Sequence, residues 1–365
     1  MALSLLSIAL MFFLSHFLVY YYLVILFWIT KYKITFWIVF LFLSISFILS
    51  SILVHLYNNV FVMKYYYLSS LWLWLILNLL TIIIILTFFL IIFKIFHLNI
   101  NLKILWLLLI FFGFTLTWYG IYNANNPIIK NTSLTIKNLP ENWKHKKIIF
   151  LSDVHLWAIL RENYLKKIVT MINSEKPDIV FITWDLLDWS DWNLDHLSNY
   201  INTINAPIYY VNGNHETYLW IPEVEKILSK TKIKELKNEV VNVDGVEIVG
   251  ISYIDERSWN INLNPIFDEL TKNWYQKDKP SILLYHVPLY TEEFRIFWIN
   301  LQLSWHTHKW QMWPYGYITS LIYGWKDYWL YTKENYNLYT SNWVWTWWPP
   351  IRTWNTPEIV ILNLK

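Results

Sequence analysis

Residues 147–155 read KIIFLSDVH, a short run of β-branched and aromatic residues that ends in a carboxylate and an imidazole two positions apart. A run of this length between polar residues predicts a buried strand, and its exit carries Asp153 and His155. The same arrangement recurs downstream. Asp178–Thr183 (DIVFIT) runs towards Asp185. Ile208–Asn212 runs into Gly213-Asn214-His215-Glu216. Ser281–Tyr285 delivers His286, and Leu301–Ser304 leads to His306-Thr307-His308. Val246–Ile251 and Glu358–Leu364 read as further strands. Glu162–Ser174 reads as a helix, with Leu165, Ile168, Val169 and Ile172 on one face. Strands alternating with helices predict an α/β domain.

The chemistry gathers at strand exits, where open α/β sheets hold their ligands. Asp, Asn and His suit divalent metals. A carboxylate can bridge two ions, and imidazole and amide oxygen fill the remaining positions. The chain has no cysteine, so thiolate sites, iron–sulfur clusters and cysteine nucleophiles are excluded. Each histidine alone would be an ordinary structural residue; five motif pieces in order, each at a strand end, are specific.

These residues resemble the signature of the calcineurin-like metallophosphoesterases, and more closely their membrane-associated bacterial YkuE-like branch. That branch has a segment like GHTHGGQ followed by Trp-Pro, and ends near GTWGPPLR and TPPE. Here the corresponding residues are Ser304–Pro314 (SWHTHKWQMWP), Trp347–Arg352 (WWPPIR) and Thr356-Pro357-Glu358. The resemblance covers about residues 145–365. It implies a two-sheet αββα sandwich and two divalent metal ions of the Mn, Fe or Zn type. One ion would be held by Asp153, His155, Asp185 and His308, the other by Asp185, Asn214, His286 and His306. It also implies that His215 protonates the leaving oxygen or stabilises the transition state. Arg352 is a candidate phosphate contact. Asp188 could support a ligand or cap a turn, and Glu216 could orient His215 or cap a helix.

Outward from this domain the composition changes. Leu3–Ile29, Ile34–Tyr57, Tyr65–Phe93 and Ile104–Tyr122 carry no charge, and each is long enough to cross a bilayer as a helix. Residues 1–140 hold seven Lys and no acid, whereas residues 141–365 hold the other 22 basic residues against all 26 acids. The expected organisation is a membrane domain with four transmembrane α-helices (1–122), a polar connector (123–145) and the metallophosphoesterase domain (146–365). The start lacks the basic residues of a signal peptide. Lys31, Lys33, Lys94 and Lys103 flank the first and third loops, against Lys64, Lys130 and Lys137 on the other side. That balance puts the catalytic domain outside the cytoplasm of an integral cell-membrane protein. His16, His55 and Asn78 lie within spans without an acid or base beside them, which suits helix packing better than transport.

Glycine is abnormally scarce. About 7% would be usual, yet the chain has 7 Gly and 25 Trp in 365 residues. The departures from the family pattern share one form: Trp stands where the pattern has Gly, at Trp157, Trp184, Trp305, Trp310, Trp343, Trp345 and Trp348. Trp189, Trp298, Trp329 and Trp354 are further candidates, while Trp313 and Trp347 match Trp in the pattern. Gly serves where φ is positive or a backbone must approach a ligand, and an indole there would fill the cleft. A UGA codon read as Gly in the cell, but rendered here as Trp, accounts for both anomalies. UGG codons at Trp184, Trp305 and Trp310 would exclude it.

The expected function is therefore a membrane-anchored phosphohydrolase acting on a phosphorylated small molecule or a lipid-linked phosphoester or pyrophosphate. Its partners are the bilayer and that substrate. The alternative is a catalytically inactive binding or scaffold protein of the same fold, in which decay should also have struck the ligands. The slightly acidic soluble part argues against nucleic acid.

Overall fold

The computed structural model describes residues 2–27, 29–57, 59–97, 101–152, 161–183, 195–218, 221–254, 261–272, 275–307, 309, 311–344, 346 and 350–365. It divides into two compact units, residues 1–122 with 348–351 and residues 123–347 with 352–365.

The first unit holds α1 (Ala2–Phe27), α2 (Lys33–Leu56), α3 (Val60–Ile95) and α4 (Leu102–Ala124). Each contains a stretch long and apolar enough to cross a membrane. Several of their polar side chains are hydrogen-bonded within or between these helices. His16 Nδ1 donates to the Phe12 carbonyl at 2.7 Å, which leaves Nε2 to accept the Trp72 indole N–H at 3.0 Å. Asn78 donates to the Trp74 carbonyl one turn back. These contacts serve helix packing.

The second unit is an αββα sandwich of two six-stranded sheets among the described residues. The first sheet has the order β1 (Ile128–Leu134), β12 (Glu358–Leu364), β2 (Ile148–Ser152), β3 (Ile179–Thr183), β4 (Ile208–Val211), β5 (Ile233–Glu235). The second has the order β10 (Trp329–Lys333), β11 (Tyr336–Thr340), β9 (Leu301–Ser304), β8 (Ser281–Leu284), β7 (Val246–Gly250), β6 (Glu239–Val243). Ile148 and Phe150 of β2 face Ile248, Ile282, Leu284, Leu301 and Leu303 across the inter-sheet core. The alternate residues Ile149 and Leu151 turn outward. They pack under α5 (Arg161–Ser174), whose Leu165, Ile168, Val169 and Ile172 form the expected face. α6 (Asp195–Ile201), α7 (Asn214–Tyr218) and α8 (Ile221–Leu228) follow on this side of the chain order. On the outer face of the second sheet, α9 (Asn264–Lys272) and α10 (Thr291–Ile296) bring Leu270 and Phe294 against Leu283 and Tyr285. α11 (Gly316–Ile322) follows β9.

The stretch expected as a connector is built into the sheet. β1 pairs in parallel with β12 over seven residues, and Lys130 of β1 forms an ion pair with buried Glu358 at 3.2 Å. Burial pulls the Lys130 ammonium below the usual lysine range despite that carboxylate. Trp143, at the end of a 3₁₀ turn, is fully buried between the sheets, and its indole N–H donates to the Val243 carbonyl at 3.0 Å. Trp143→Ala is expected to cost about 3–5 kcal/mol, read as a lowered unfolding midpoint of the full chain in detergent.

Several other tryptophans sit where an indole is poorly accommodated. Trp298, Trp325, Trp329 and Trp343 have φ of 74°, 61°, 74° and 72°. This left-handed region suits Gly, Asn and Asp; for a bulky residue it is an outlier. Trp298, Trp329 and Trp343 are sequence candidates for glycine, and Trp325 joins them on backbone geometry alone. Trp305 is fully buried with its indole N–H lacking an acceptor, in contrast to Trp143. Trp157, Trp184, Trp189, Trp310, Trp345, Trp347 and Trp348 lie outside the described residues.

Candidate metal centre

Strand pairing brings the predicted exits together. β2, β3 and β4 are parallel, with Ser152 level with Thr183 and Thr183 level with Val211. In the second sheet β8 and β9 are parallel, with Leu284 level with Leu303. The carboxyl ends of neighbouring strands therefore share an edge, as a ligand-holding rim requires.

Three expected ligands meet there. Asn214 opens α7, His286 lies two residues beyond β8, and His306 lies two residues beyond β9. His286 Nε2 is 2.6 Å from Asn214 Oδ1 and 2.8 Å from His306 Nδ1. The three come from positions 72 and 20 residues apart from His286. His286 is fully buried and Asn214 is buried. A proton on His286 Nε2 points well at only one of its two neighbours, whereas a cation can accept lone pairs from all three. One amide oxygen with two imidazole nitrogens is a borderline donor set that suits Mn²⁺, Fe²⁺ or Zn²⁺. The residues present thus fit a divalent metal.

The surroundings hold this cluster in place. His306 takes a left-handed φ of 58°, and Thr307 Oγ1 donates to the Asp327 carbonyl at 2.6 Å. The Trp305 N–H donates to the His286 carbonyl at 3.1 Å. The Trp305 ring meets the His286 ring edge-on at 4.7 Å, so the indole occupies the floor of the cluster. Tyr253 meets His286 from another direction at 5.5 Å, and the Tyr253 N–H is held by Asn212 Oδ1 at 3.0 Å. Tyr253 escaped the sequence reading, because an aromatic residue after a strand carries no signal of its own.

His215 is buried directly after Asn214. Glu216 is fully buried, and its carboxylate accepts the Gly213 N–H at 2.8 Å. This is the reach-back bond of a helix start, the capping role expected of Glu216. It thereby fixes the turn that presents Asn214 and His215. Arg352 is fully buried; its guanidinium donates to Asn355 Oδ1 at 2.7 Å and to the Asn342 carbonyl. The contacts described for it hold the chain's own 342 and 355 segments. Asp153, His155, Asp185, Asp188 and His308 lie outside the described residues, and among those described no three His, Asp or Glu gather.

The calcineurin-like phosphoesterase family matches residues 146–311. An uncharacterised metallophosphoesterase of Campylobacter jejuni is 34% identical over 257 residues, 68% of this chain and 67% of that protein. The uncharacterised metallophosphoesterase YkuE of Bacillus subtilis is 29% identical over 262 residues, 68% of this chain and 90% of that protein. A transmembrane protein with metallophosphoesterase domain from Danio rerio is 27% identical over 219 residues, 56% of this chain and half of that protein. No solved structure gives a significant match.

Proposed function

Since the chain belongs to the calcineurin-like phosphoesterase family, a family of metal-dependent phosphoesterases, we propose that it is a membrane-anchored hydrolase of phosphoester or pyrophosphate bonds working with two divalent ions. The observation that carries this reading is the meeting of Asn214, His286 and His306 at one point. Ions bound there would polarise the phosphoryl oxygens and make a water acidic enough to attack phosphorus. Asn214, His286 and His306 would hold one ion together with Asp185, and Asp153, His155, Asp185 and His308 the other. His215, presented beside Asn214 by the cap from Glu216, donates a proton to the leaving oxygen.

In this reading the seven tryptophans at 157, 184, 305, 310, 343, 345 and 348 are glycine in the cell. The substrate is a phosphorylated small molecule or a lipid-linked phosphate, and the catalytic domain faces away from the cytoplasm. The left-handed φ of Trp343 and the acceptor-less Trp305 indole support the glycine assignment. The same features would suit the inactive scaffold alternative only if codons at these positions were UGG.

Metal removal tests the reading. The full chain with those seven positions as glycine, stripped with EDTA, is expected to lose hydrolysis of bis(p-nitrophenyl) phosphate and to regain it on addition of Mn²⁺. His286→Ala is expected to lower the bound metal measured by mass spectrometry. Activity that survives stripping would refute a metal-dependent mechanism.

A further inference from the structure

α11 carries its polarity inside out. Its inward side chains are hydroxyls: Ser320 and Thr319 donate to the buried Asp327 carboxylate at 2.8 and 3.1 Å. Its outward side chains are apolar: Tyr317, Ile318, Leu321 and Ile322 are 51%, 44%, 70% and 68% exposed. Positions i, i+1, i+4 and i+5 share one helical face. A contiguous exposed apolar face on a water-facing domain marks an interaction surface, and here the chain itself shows what lies nearby.

Asn123, the residue with which the second unit begins, is hydrogen-bonded within that unit. Asn123 Nδ2 donates to the Arg352 and Asn355 carbonyls at 2.9 and 2.8 Å. Within that same segment the Thr353 N–H donates to the Gln311 carbonyl at 2.9 Å. Two residues earlier, the Lys309 carbonyl abuts Gly316 at the start of α11, so closely that a Cβ there would lie 2.9 Å from it. None of these links uses the side chain of residue 354, so they hold whether that residue is Trp or Gly. They tie α11 to the residue at which the fourth span ends. Trp118, Tyr119 and Tyr122, all exposed on the final turns of that span, are the aromatic residues that mark a membrane–water boundary.

From this we infer that the apolar face of α11 docks into the lipid bilayer that holds the four spans. Its apolar side chains enter the acyl boundary while Thr319, Ser320 and Asp327 stay with the protein. The face also lies next to the candidate metal centre. Tyr323, just past α11, has its ring 6.4 Å from that of His306, and Lys309 Nζ in the His306 loop donates to Ser320 at 3.2 Å. Docking therefore brings the His286–His306 cluster to headgroup depth and selects a phosphate carried on a lipid. The docking stands without the hydrolase reading; the lipid-borne substrate rests on it.

The absence of cysteine makes the test direct. In the full chain, Leu321→Cys and Lys333→Cys are each labelled with the fluorophore NBD and reconstituted in vesicles of phosphatidylethanolamine and phosphatidylglycerol. The label at 321 is expected to lose on the order of half its emission to lipids carrying a spin label on the acyl chain, and the label at 333 to be quenched instead by aqueous iodide. Quenching of both by iodide would overturn the docking. So would protection of 321 from both quenchers, which would point to a second copy of the chain. In parallel, Leu321→Asp with Ile322→Asp is expected to lower hydrolysis of vesicle-borne phosphatidic acid about tenfold. Turnover of bis(p-nitrophenyl) phosphate should stay unchanged. Equal loss on both substrates would refute substrate selection by docking. Absence of all activity in the parent chain with the seven positions as glycine would refute the hydrolase reading while the quenching pattern still decides docking.

Discussion

Replacing Trp157, Trp184, Trp305, Trp310, Trp343, Trp345 and Trp348 together by glycine is expected to raise turnover of bis(p-nitrophenyl) phosphate by at least about 100-fold over the literal chain. A misplacement of about 1 Å at a catalytic group can cost that much. In the literal chain the Trp305 indole lies against the imidazole of His286. Trp343 sits at a φ of 72°, a conformation that costs a bulky residue on the order of 1–3 kcal/mol. Val344, the next residue, donates its N–H to the carbonyl of Ser152, the last residue before Asp153. Strain at 343 is therefore passed to the strand end that bears an expected ligand. A second readout separates native glycine from mere loosening. If tryptophan were native at these positions, emptying seven indoles would open cavities and cost about 3–5 kcal/mol at each buried one. The glycine chain would then melt far below the literal chain. An unfolding temperature at or above that of the literal chain, together with the gain in turnover, is the expected outcome. A collapse in stability would show the indoles to be real core residues.

The second large effect concerns His215. His215→Ala in the glycine chain is expected to lower kcat by roughly 10²–10⁴-fold while bound metal stays constant. The side chain follows Asn214 in α7, and the Glu216 carboxylate that accepts the Gly213 N–H holds the turn, so the substitution is expected to leave the ligand geometry in place. The loss should be greatest for substrates with poor leaving groups, because a good leaving group departs without the proton. Equal turnover of His215→Ala and its parent on a poor leaving group would remove His215 from the reaction. Loss of metal along with turnover would instead make it a support for Asn214.

The parts of the fold that could be read beforehand are those buried on both faces. β2, β3, β7, β8 and β9 are predominantly apolar runs, interrupted by Glu247 in β7 and Gln302 in β9, and each is buried along its length. The strands that escaped include all four sheet edges: β1 and β5 in the first sheet, β10 and β6 in the second. An edge strand has neighbours on one side only and tolerates polar residues, so its alternation is weak. In β1, Ile128 and Thr132 are respectively exposed and buried, the reverse of their polarity. β11 was hidden for another reason. Its sequence YNLYT is fully buried, but its polar groups are satisfied in place: Asn337 Nδ2 donates to the Thr135 carbonyl at 3.0 Å, and the Tyr336 hydroxyl donates to Gln302. At the site, the identity of Asn214, His286 and His306 was legible because each follows a readable strand. Their convergence depends on which strands are neighbours, and that order comes only with the fold. The inverted helix α11 was illegible, since four apolar residues within seven look like an ordinary core helix until the inward hydroxyls are seen.

β12 lies between β1 and β2, and β1 touches the first sheet only through it. More than 200 residues of chain separate that strand from the two it joins. During synthesis β1 and β2 must therefore wait, unjoined, until the ribosome has passed Glu358. If the proposed glycine positions are encoded by UGA, a host that treats UGA as a stop would make only products that lack the wedge joining the first strand to the rest. Such fragments should be degraded rather than accumulate as partly working enzyme, so heterologous expression would be all or nothing.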